Sequence, residues 1–419
     1  MIVYKFGGAS VKNVESVVGL KNIVEACNED LVVVISAMNK TTNALEELVE
    51  KYLKNDANFN EKFDDIIDYH MKIVDGLFPE NHPIKDEILE ISEKLLNLIS
   101  KPTPTDYNFA YDQIVSFGEI FSTKIVSEYL KIFFPCEYVD IKTCLRTDNC
   151  YGEANVLWEK SENPIKDKFN FSNSKVCVTQ GFIASDGENS TTLGREGSDY
   201  TASILANILD AEKMVVWKDV PGILNADPKW FDTTEKLSHI SYKEAIELAY
   251  YGATIIHPKT IKPLQNKNIP LFVNSFLSPQ ETGTIIDNRS EEDSLIPSFI
   301  FRIDQVLISI SSRDFSFVVE ENLSEIFRTF ADANIKINLM ENSAISFSVC
   351  IDNDLTKVEK LINILKEEYK VLYNENVELI TIRYYNQDTI NRVLHEKTIL
   401  IEQRSRFSAR FVVKPADLN

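Results

Sequence analysis

Short apolar runs rich in β-branched residues alternate along the first two thirds of the chain with longer segments in which apolar residues recur at helical spacing. The runs predict buried strands at residues 1–6, 31–35, 175–182, 214–217 and 269–273. Helical spacing predicts helices at residues 14–27, 112–133 and 242–251, and a strongly charged helical stretch across residues 43–100. Strands that alternate with helices predict an α/β fold, with a mainly parallel sheet covered by helices on both faces.

The pattern changes after a polar, acidic stretch at residues 287–297, which has the composition of an exposed linker. Strands are then predicted at 305–310, 335–338, 345–351, 377–383, 399–403 and 408–413, and helices at 323–333, 356–368 and 389–396. This order suggests two βαββ units in an α+β domain. We therefore place a first domain at residues 1–290, with a helical excursion at about 43–100, and a second at 298–419.

Composition is that of a globular protein and excludes several classes. Hydrophobic residues make up 44% and charged residues 26% of the chain, and no apolar run approaches the roughly 18 residues of a membrane span. A formal net charge of −20 disfavours nucleic acid as a partner. The six cysteines are dispersed without a CxxC pair, and the chain opens on a strand pattern rather than a signal sequence. We expect a cytoplasmic protein with reduced thiols and no cysteine-bound metal.

A glycine pair follows the first predicted strand, in the segment KFGGAS at residues 5–10. Glycines let backbone amides approach an anion, the start of the next helix adds partial positive charge, and Lys5 supplies a cation for phosphate oxygens. A tight turn that merely needs glycine is the alternative. The spacing differs from the GxxxxGK[ST] loop, so a P-loop fold is not indicated.

A second glycine-rich loop, TTLGREGSDYTA at residues 191–202, ends in Ser198 and Asp199 at the start of a predicted helix. A hydroxyl and a carboxylate there lie beside outward-facing amides, and Arg195 can bind a carboxylate in a bidentate manner. A plain helix cap would account for Ser198 and Asp199 but not for an arginine between two glycines. The loop SAMNKTT, residues 36–42, follows the second strand, where open α/β sheets present ligand loops, although alone it is only a polar loop.

The loop KDVPGI, residues 218–223, follows the strand at 214–217, and its turn residues offer a surface for the base and ribose of a nucleotide. His257, in YGATIIHP at residues 251–258, is more often a structural hydrogen bonder than a general base. The sequence contains no HExxH or GxSxG motif and no Ser-His-Asp arrangement. Groups that hold phosphates and a carboxylate are those that phosphoryl transfer requires.

Taken together, KFGGAS, SFGEIFST (116–123), VTQGF (178–182), TTLGREGSDYTA, KDVPGI and YGATIIHP resemble the aspartokinase family and occur in that family's order. The resemblance spans roughly the first 290 residues. It implies the amino acid kinase fold and the ATP-dependent phosphorylation of the side-chain carboxylate of aspartate to 4-phospho-aspartate, the first step towards lysine, threonine and methionine. ATP and Mg²⁺ are the implied cofactors, with Mg²⁺ held mainly by ATP oxygens and water.

The resemblance also implies roles for individual residues. Lys5 would stabilise the transferring phosphoryl group and Asp199 would organise the catalytic groups. Glu119 would take the α-amino group of aspartate and Arg195 a carboxylate. The remaining residues assigned to aspartate are Ser36, Thr42, Phe182 and Ser198. The remaining residues assigned to the nucleotide are Gly7, Gly8, Ser10, Lys218, Asp219, Leu224, Lys229 and Thr254.

Four positions depart from the family pattern. Ala9 lacks a hydroxyl that the family's usual threonine supplies, and Glu196 adds a negative charge near the phosphates. Leu224 replaces a tyrosine and Thr254 a lysine. These changes bear on affinity and rate more than on reaction type, because the residues assigned to catalysis and to aspartate are present.

The C-terminal part resembles the paired ACT-type regulatory modules of aspartokinases, which bind lysine or threonine at a dimer interface. Residues 334–349 resemble the effector-binding segment, with Asn338 in place of an aspartate, and give Asn338, Asn342 and Ser343 as allosteric residues. We therefore expect a homodimer or higher homo-oligomer. A dimerisation domain without effector binding is the alternative.

Two alternatives to an aspartate kinase stay open. One is a kinase for another acidic amino acid, such as glutamate or acetylglutamate, which Glu119 in SFGE and the TTLGR context disfavour. The other is a degenerate kinase that acts as an amino acid sensor, which Ala9, Glu196 and Thr254 suggest.

Overall fold

The computed structural model describes residues 1–56, 59–231, 233–253, 256–314 and 316–415. The chain divides into two units. The first comprises Met1–Ile223, Lys236–Ile246 and Thr254–Ser290, and the second comprises Leu224–Glu235, Glu247–Ala253 and Glu291–Asn419. No helix in the described ranges has the length and apolarity needed to cross a membrane.

The first unit alternates strands and helices. Its strands are β1 (Ile2–Phe6), β2 (Leu31–Ile35), β3 (Cys136–Val139), β4 (Val176–Gln180), β5 (Ile183–Ser185), β6 (Ser190–Thr192), β7 (Lys213–Lys218), β8 (His239–Ser241), β9 (Leu271–Ser275) and β10 (Thr284–Asp287). Its helices are α1 (Val14–Glu25), α2 (Thr41–Leu53), α3 (Phe59–Leu77), α4 (Ile84–Ile99), α5 (Tyr107–Val115), α6 (Phe117–Lys131), α7 (Trp158–Lys168), α8 (Gly197–Ile208) and α10 (Pro258–Lys267), while α9 (Tyr242–Tyr251) runs from the first unit into the second.

Eight strands form the main sheet, in the order β3-β4-β2-β1-β7-β9-β10-β8. Every neighbouring pair is parallel except β9 and β10, so the predicted mainly parallel sheet is confirmed. All five residues of β2 are buried, which explains its continuous apolar run, because helices cover both faces of such a strand. β1 lies between β2 and β7, and its last residues therefore reach the middle of the sheet's carboxyl edge.

The predicted helical excursion at 43–100 forms α2, α3 and α4 among the described residues. Leu45, Phe63 and Ile88, one from each helix, belong to the same hydrophobic core as β1 and β2. These helices are therefore part of the packed first unit. The segment predicted as one helix at 112–133 consists of α5 and α6, with Ser116 between them.

The second unit contains strands β11 (Ser298–Ser311), β12 (Ile337–Asn342), β13 (Ser346–Asp352), β14 (Lys370–Arg383), β15 (Thr398–Arg404) and β16 (Ser408–Lys414), and helices α11 (Glu320–Asp332), α12 (Leu355–Glu368) and α13 (Gln387–Leu394). The strands form one antiparallel sheet in the order β12-β13-β11-β14-β16-β15. The predicted α+β architecture of this region is confirmed.

β11 and β14 are 14 residues long and run through the whole of this sheet. The register between them shifts between Arg302 and Gln305, which divides the sheet into two halves. Each half packs helices onto its own core: α11 and α12 cover one half, and α13 covers the other. The two βαββ units predicted from the sequence are therefore joined, because the long strands β11 and β14 run through both of them.

We predict that Leu361→Ala, in α12, lowers the free energy of unfolding by about 2–5 kcal/mol, because Leu361 is 0% exposed and its loss leaves a cavity in the core. Leu355→Ala on the same helix is the matched control, since Leu355 is 71% exposed and its truncation should change stability by less than about 0.5 kcal/mol. Urea unfolding of both variants measures the difference. Equal losses would contradict the packing of α12.

Candidate active site

Loops that follow β1, β2, β4 and β7 surround a cavity of about 570 Å³ in the first unit. Ligands bind open α/β sheets at this carboxyl edge. The cavity is lined by Lys5, Gly8, Ser36, Ala37, Asn39, Thr42, Glu46, Tyr107, Asn108, Tyr111, Glu119, Gly152, Phe182, Gly194, Arg195, Glu196, Gly197, Ser198, Asp199 and Lys218. It brings together segments that lie more than 200 residues apart in the sequence.

Many of the residues singled out in the sequence lie in this lining. They are Lys5, Gly8, Ser36, Thr42, Glu119, Phe182, Arg195, Ser198, Asp199 and Lys218. Gly7 and Asp219 are sequence neighbours of the lining residues Gly8 and Lys218 but are not part of the lining. Ser10 is also outside the lining, and it donates a hydrogen bond to the Trp217 carbonyl (3.4 Å). Leu224 and Lys229 belong to the second unit, and Thr254 is outside the described residues.

Three charged side chains meet at the end of β1, and we call them the Asp199 cluster. Lys5 Nζ lies 2.6 Å from Asp199 Oδ1, and Lys218 Nζ lies 3.5 Å from Asp199 Oδ2. Asp199 is 2% exposed and Lys5 is 8% exposed. Burial opposes ionisation of Asp199, but the two ammonium groups outweigh it and hold the pKa of this carboxyl below its ordinary value. The cluster is therefore a fixed set of charges with a net positive sign.

Two glycines allow segments of the site to approach each other closely. A Cβ atom at Gly8 would lie 2.7 Å from the Ala37 carbonyl oxygen, so the loops after β1 and β2 touch at this point. A Cβ atom at Gly181 would lie 2.6 Å from Ser198 Cβ, at the start of α8. Close backbone packing is thus one reason for the glycine of KFGGAS at position 8, beside any role in binding an anion.

Glu119 brings a second buried carboxylate to the cavity, from the first turn of α6. Its Oε1 accepts a hydrogen bond from the Ala37 N–H (3.2 Å), and within the described structure Oε2 has no hydrogen-bond partner. Burial raises the pKa of Glu119 to about 8, although the Ala37 N–H and the charge of Lys5 act in the other direction. A cationic group placed beside Oε2 would favour the ionised form.

Arg195 and Glu196 follow each other in the loop before α8 but behave differently. The Arg195 side chain is exposed, and it forms no hydrogen bond or ion pair with another described residue. Glu196 has a left-handed backbone (φ +52°), and its Oε2 accepts a hydrogen bond from the His257 N–H (2.9 Å). His257 is the N-cap of α10, where Nδ1 accepts from the Lys259 N–H (3.2 Å). Arg195 is thus available to a ligand, whereas His257 has a structural role.

Sequence reasoning missed one wall of the cavity. This wall consists of Glu46 from α2, Tyr107, Asn108 and Tyr111 from α5, and Gly152. Glu46 lies one helical turn beyond Thr42, and that spacing is a signal the sequence contains. Burial raises the pKa of Tyr111 to about 12, with a further contribution from Glu46. The wall adds hydroxyl and amide groups to the site.

Among the described residues no group of three or more His, Cys, Asp or Glu side chains is arranged to hold a metal ion. The chemistry that these residues offer is ionic: lysines and an arginine for anions, and carboxylates for a cationic group. Such a cavity suits a substrate that carries both signs of charge together with a phosphorylated partner.

A family model described as the amino acid kinase family matches residues 1–275. The chain belongs to the amino acid kinase family. The predicted amino acid kinase fold of the first unit is confirmed.

The chain is 32% identical over 358 residues to lysine-sensitive aspartokinase 3 of Escherichia coli. The alignment covers 84% of this chain and 78% of that protein. The structure of E. coli aspartokinase III in complex with aspartate and ADP (R-state) aligns with a TM-score of 0.82 and 27% identity, over 99% of this chain and 96% of that one. The complex of the same enzyme with lysine and aspartate (T-state) gives a TM-score of 0.81 over the same shares. Within its family the chain is an aspartokinase, and its C-terminal sheet is of the ACT type, as the sequence predicted.

We predict that Glu119→Gln changes how stability depends on pH. Because the pKa of Glu119 in the folded protein lies above its ordinary value, the folded chain keeps a proton that the unfolded chain releases, and stability is lost as the pH rises from about 4.5 to about 8. The glutamine variant lacks this loss. Its free energy of unfolding should therefore rise relative to the wild type across that window, by at most about 1.4 kcal/mol per pH unit.

Urea unfolding at several pH values measures this difference. Glu128→Gln on the same helix is the control, since Glu128 does not line the cavity. A Glu119→Gln variant whose stability follows the wild type at every pH would show that Glu119 ionises normally.

Proposed function

We propose that this protein is an aspartate kinase, which transfers the γ-phosphoryl group of ATP to the side-chain carboxylate of L-aspartate. The products are 4-phospho-L-aspartate, the first intermediate on the route to lysine, threonine and methionine, and ADP. The observation that carries the proposal is the buried Asp199 cluster in the same cavity as Glu119 and Arg195. The likeness to a kinase structure that contains aspartate and ADP supports it.

The two ends of the substrate explain the two kinds of charge in the cavity. Glu119 would accept the α-ammonium group of aspartate, and Arg195 would bind its α-carboxylate through two parallel hydrogen bonds. The side-chain carboxylate would then face the Asp199 cluster. A substrate held at both ends presents its reacting oxygen to the phosphorus, which is how positioning accelerates such a reaction.

The reaction itself needs little more than positioning and neutralisation of charge. A carboxylate oxygen of aspartate attacks the γ-phosphorus, the bond to the oxygen that bridges the β- and γ-phosphorus atoms breaks, and ADP leaves with that electron pair. Because the attacking carboxylate carries no proton at neutral pH, no general base is required. Lys5 and Lys218 would stabilise the negative charge that spreads over the transferring group, and Asp199 would hold both ammonium groups in place.

Charge balance supports a requirement for Mg²⁺. The cavity lining carries three cationic side chains, Lys5, Arg195 and Lys218, against the four acidic side chains Glu46, Glu119, Glu196 and Asp199. ATP would add about four negative charges. A Mg²⁺ ion would offset part of this charge, and ATP oxygens with water would supply most of its ligands, as is usual for this ion.

Other assignments belong to the proposal. The aspartate pocket would be completed by Ser36, Thr42, Phe182 and Ser198. The nucleotide would also contact Gly7, Gly8, Ser10, Asp219, Leu224, Lys229 and Thr254. The six free cysteines support a cytoplasmic location.

The rate of ADP release in the presence of MgATP and either aspartate or glutamate tests the function. We expect turnover with aspartate, and a preference for glutamate would refute the proposal.

Lys5→Ala should lower kcat by about a hundredfold or more, because a buried cation is removed from the reacting phosphate. Lys21→Ala, which removes a surface lysine paired with Glu25, is the matched control. Near-normal turnover by Lys5→Ala would refute the catalytic role.

Regulation by an amino acid is the second part of the proposal. The effector would bind the second unit near Asn338, Asn342 and Ser343, in a homodimer or higher homo-oligomer, and the lysine complex of the E. coli relative supports this. In this chain the Asn338 amide donates to Gln305 Oε1 and to Asp352 Oδ1, both at 2.9 Å. An effector would therefore have to compete with a buried hydrogen-bond network or bind beside it.

We predict that an effector raises the thermal midpoint, because a ligand that binds the native state stabilises it by RT ln(1 + [L]/Kd). Thermal shift with lysine, threonine and methionine, added separately, measures this. A shift that Ser343→Ala abolishes would support the assigned site. No shift with any of the three would favour a dimerisation domain without an effector, and a shift without kinase turnover would favour a sensor.

A further inference from the structure

Asp112 is a carboxylate with no charged partner in the interior of the first unit. It lies on α5, is 0% exposed and does not line the cavity. Throughout the described ranges no lysine or arginine forms an ion pair with it. A buried carboxylate without a cation is costly unless hydrogen bonds satisfy it, and burial accordingly raises the pKa of Asp112. The position therefore calls for an explanation beyond packing.

The hydrogen bonds of Asp112 lead to two segments outside its own helix, the loop at Gly152 and the end of β6 at Thr192. The Gly152 N–H donates to both carboxylate oxygens, at 3.0 and 3.1 Å. The Thr192 N–H donates to Oδ2 (2.9 Å) and the Thr192 hydroxyl to Oδ1 (2.6 Å). Three donors from these two segments thus converge on one side chain. The segments are also joined to each other, since the Ala154 N–H donates to the Thr192 carbonyl (2.9 Å).

Both segments lead to the part of the cavity that carries Arg195. Gly152 lines the cavity itself, and Thr192 is three residues before Arg195. Gly194, with φ +73°, lies between Thr192 and Arg195 in the sequence. An added Cβ there would lie 2.9 Å from Glu153 Cγ, so the segment before Arg195 is in close contact with Glu153. Asp112 therefore reaches the Arg195 backbone by two routes, through Thr192 along the chain and through Gly152 and Glu153 across the loop contact.

We propose that Asp112 is a positioning residue for the amino acid substrate, and that it fixes the loop from which Arg195 meets the substrate carboxylate. The inference rests on the proposed aspartate kinase activity. Arg195 is exposed and has no partner within the described residues, so its position depends on the backbone that bears it. The Asp199 cluster is carried by β1, β7 and α8, and the hydrogen bonds to Asp112 come from Gly152 and Thr192 and not from the cluster. Asp112 thus acts on aspartate binding and not on nucleotide binding.

The structure distinguishes two substitutions at this position. Asp112→Ala leaves the N–H groups of Gly152 and Thr192 without an acceptor, and it leaves the Thr192 hydroxyl only the Gly152 carbonyl. Asp112→Asn keeps most of the network, because its oxygen can accept both N–H groups at the place of Oδ2 and its amide can donate to the Thr192 hydroxyl. That hydroxyl can then turn to the Gly152 carbonyl, which lies 3.2 Å away. Rescue by asparagine is therefore expected.

Steady-state kinetics of the full-length chain test the proposal. Asp112→Ala should raise KM for aspartate by about tenfold or more, since a shift of about 1 Å in a binding group has effects of this size or larger, and should leave KM for ATP within about twofold. Asp112→Asn should raise KM for aspartate by only about threefold. Ser174→Ala is the matched control: Ser174 is also a buried side chain that ties two segments, accepting from the Val176 N–H and donating to the Pro135 carbonyl, but it lies at the amino end of β4. Its kinetic constants should match the wild type.

Two results would overturn the proposal. One is an Asp112→Ala variant that loses thermal stability while KM for aspartate stays unchanged, and the other is an equal loss of affinity for aspartate and ATP. If Asp112→Ala does not fold, Thr192→Val takes its place, because it removes only the hydroxyl donor; an unchanged KM for aspartate there would equally refute the role.

Calorimetric titration with aspartate separates this inference from the proposed function. A wild-type protein that binds aspartate but releases no ADP would refute the kinase activity, and the effect of Asp112→Ala on the Kd for aspartate would still decide the positioning role. A wild-type protein that binds no aspartate would overturn both.

Discussion

A buried carboxylate between two ammonium groups is the interaction on which the rest of the active site depends. Asp199, in the first turn of α8, forms ion pairs with Lys5 of β1 and Lys218 of β7. β1 and β7 are neighbouring parallel strands. Lys5 pairs in register with Val216, so Lys5 and Lys218 project from the same face of the sheet. Lys5 and Asp199 are buried, whereas Lys218 is partly exposed. Charges buried in this way are stable only with good mutual geometry, and removal of one would leave the others uncompensated. The order of strands in the sheet is therefore what makes the cluster possible.

The two buried carboxylates of the cavity lining, Asp199 and Glu119, differ in the number of cations around them. Asp199 contacts two ammonium groups and has a lowered pKa. For Glu119 the charge of Lys5 is too weak to outweigh burial, and burial raises its pKa to about 8. Opposed shifts of this kind assign different tasks to chemically similar groups. Asp199 is a permanent anion that organises cations, and Glu119 becomes fully ionised when a cation reaches it. The Glu119 carboxyl would thus release its proton when an α-ammonium group binds beside it.

The sequence allowed prediction of those parts of the fold that a local pattern encodes. β1, β2 and β7 were recognisable because parallel strands buried on both faces read as continuous apolar runs. β8 and β10 have three and four residues and give no comparable signal, and α7 contains Pro164, which weakens its helical pattern. The same limit applies to the site. The motif loops were found, but the wall formed by Tyr107, Asn108 and Tyr111 was not, since helical spacing predicts a helix without showing which loop of the sheet it faces.

The position of Glu196 illustrates why a departure from a family pattern cannot be interpreted from charge alone. Its residue type adds a negative charge beside the expected phosphate region, which suggested weaker nucleotide binding. In the structure its carboxylate accepts the His257 N–H at the start of α10, where the helix carries partial positive charge. The charge at that helix end is opposite in sign to the added carboxylate, and the hydrogen bond connects the loop of Arg195 to α10. The Glu196 carboxylate is thus a second attachment for the loop that carries Arg195, in addition to the hydrogen bonds of Asp112.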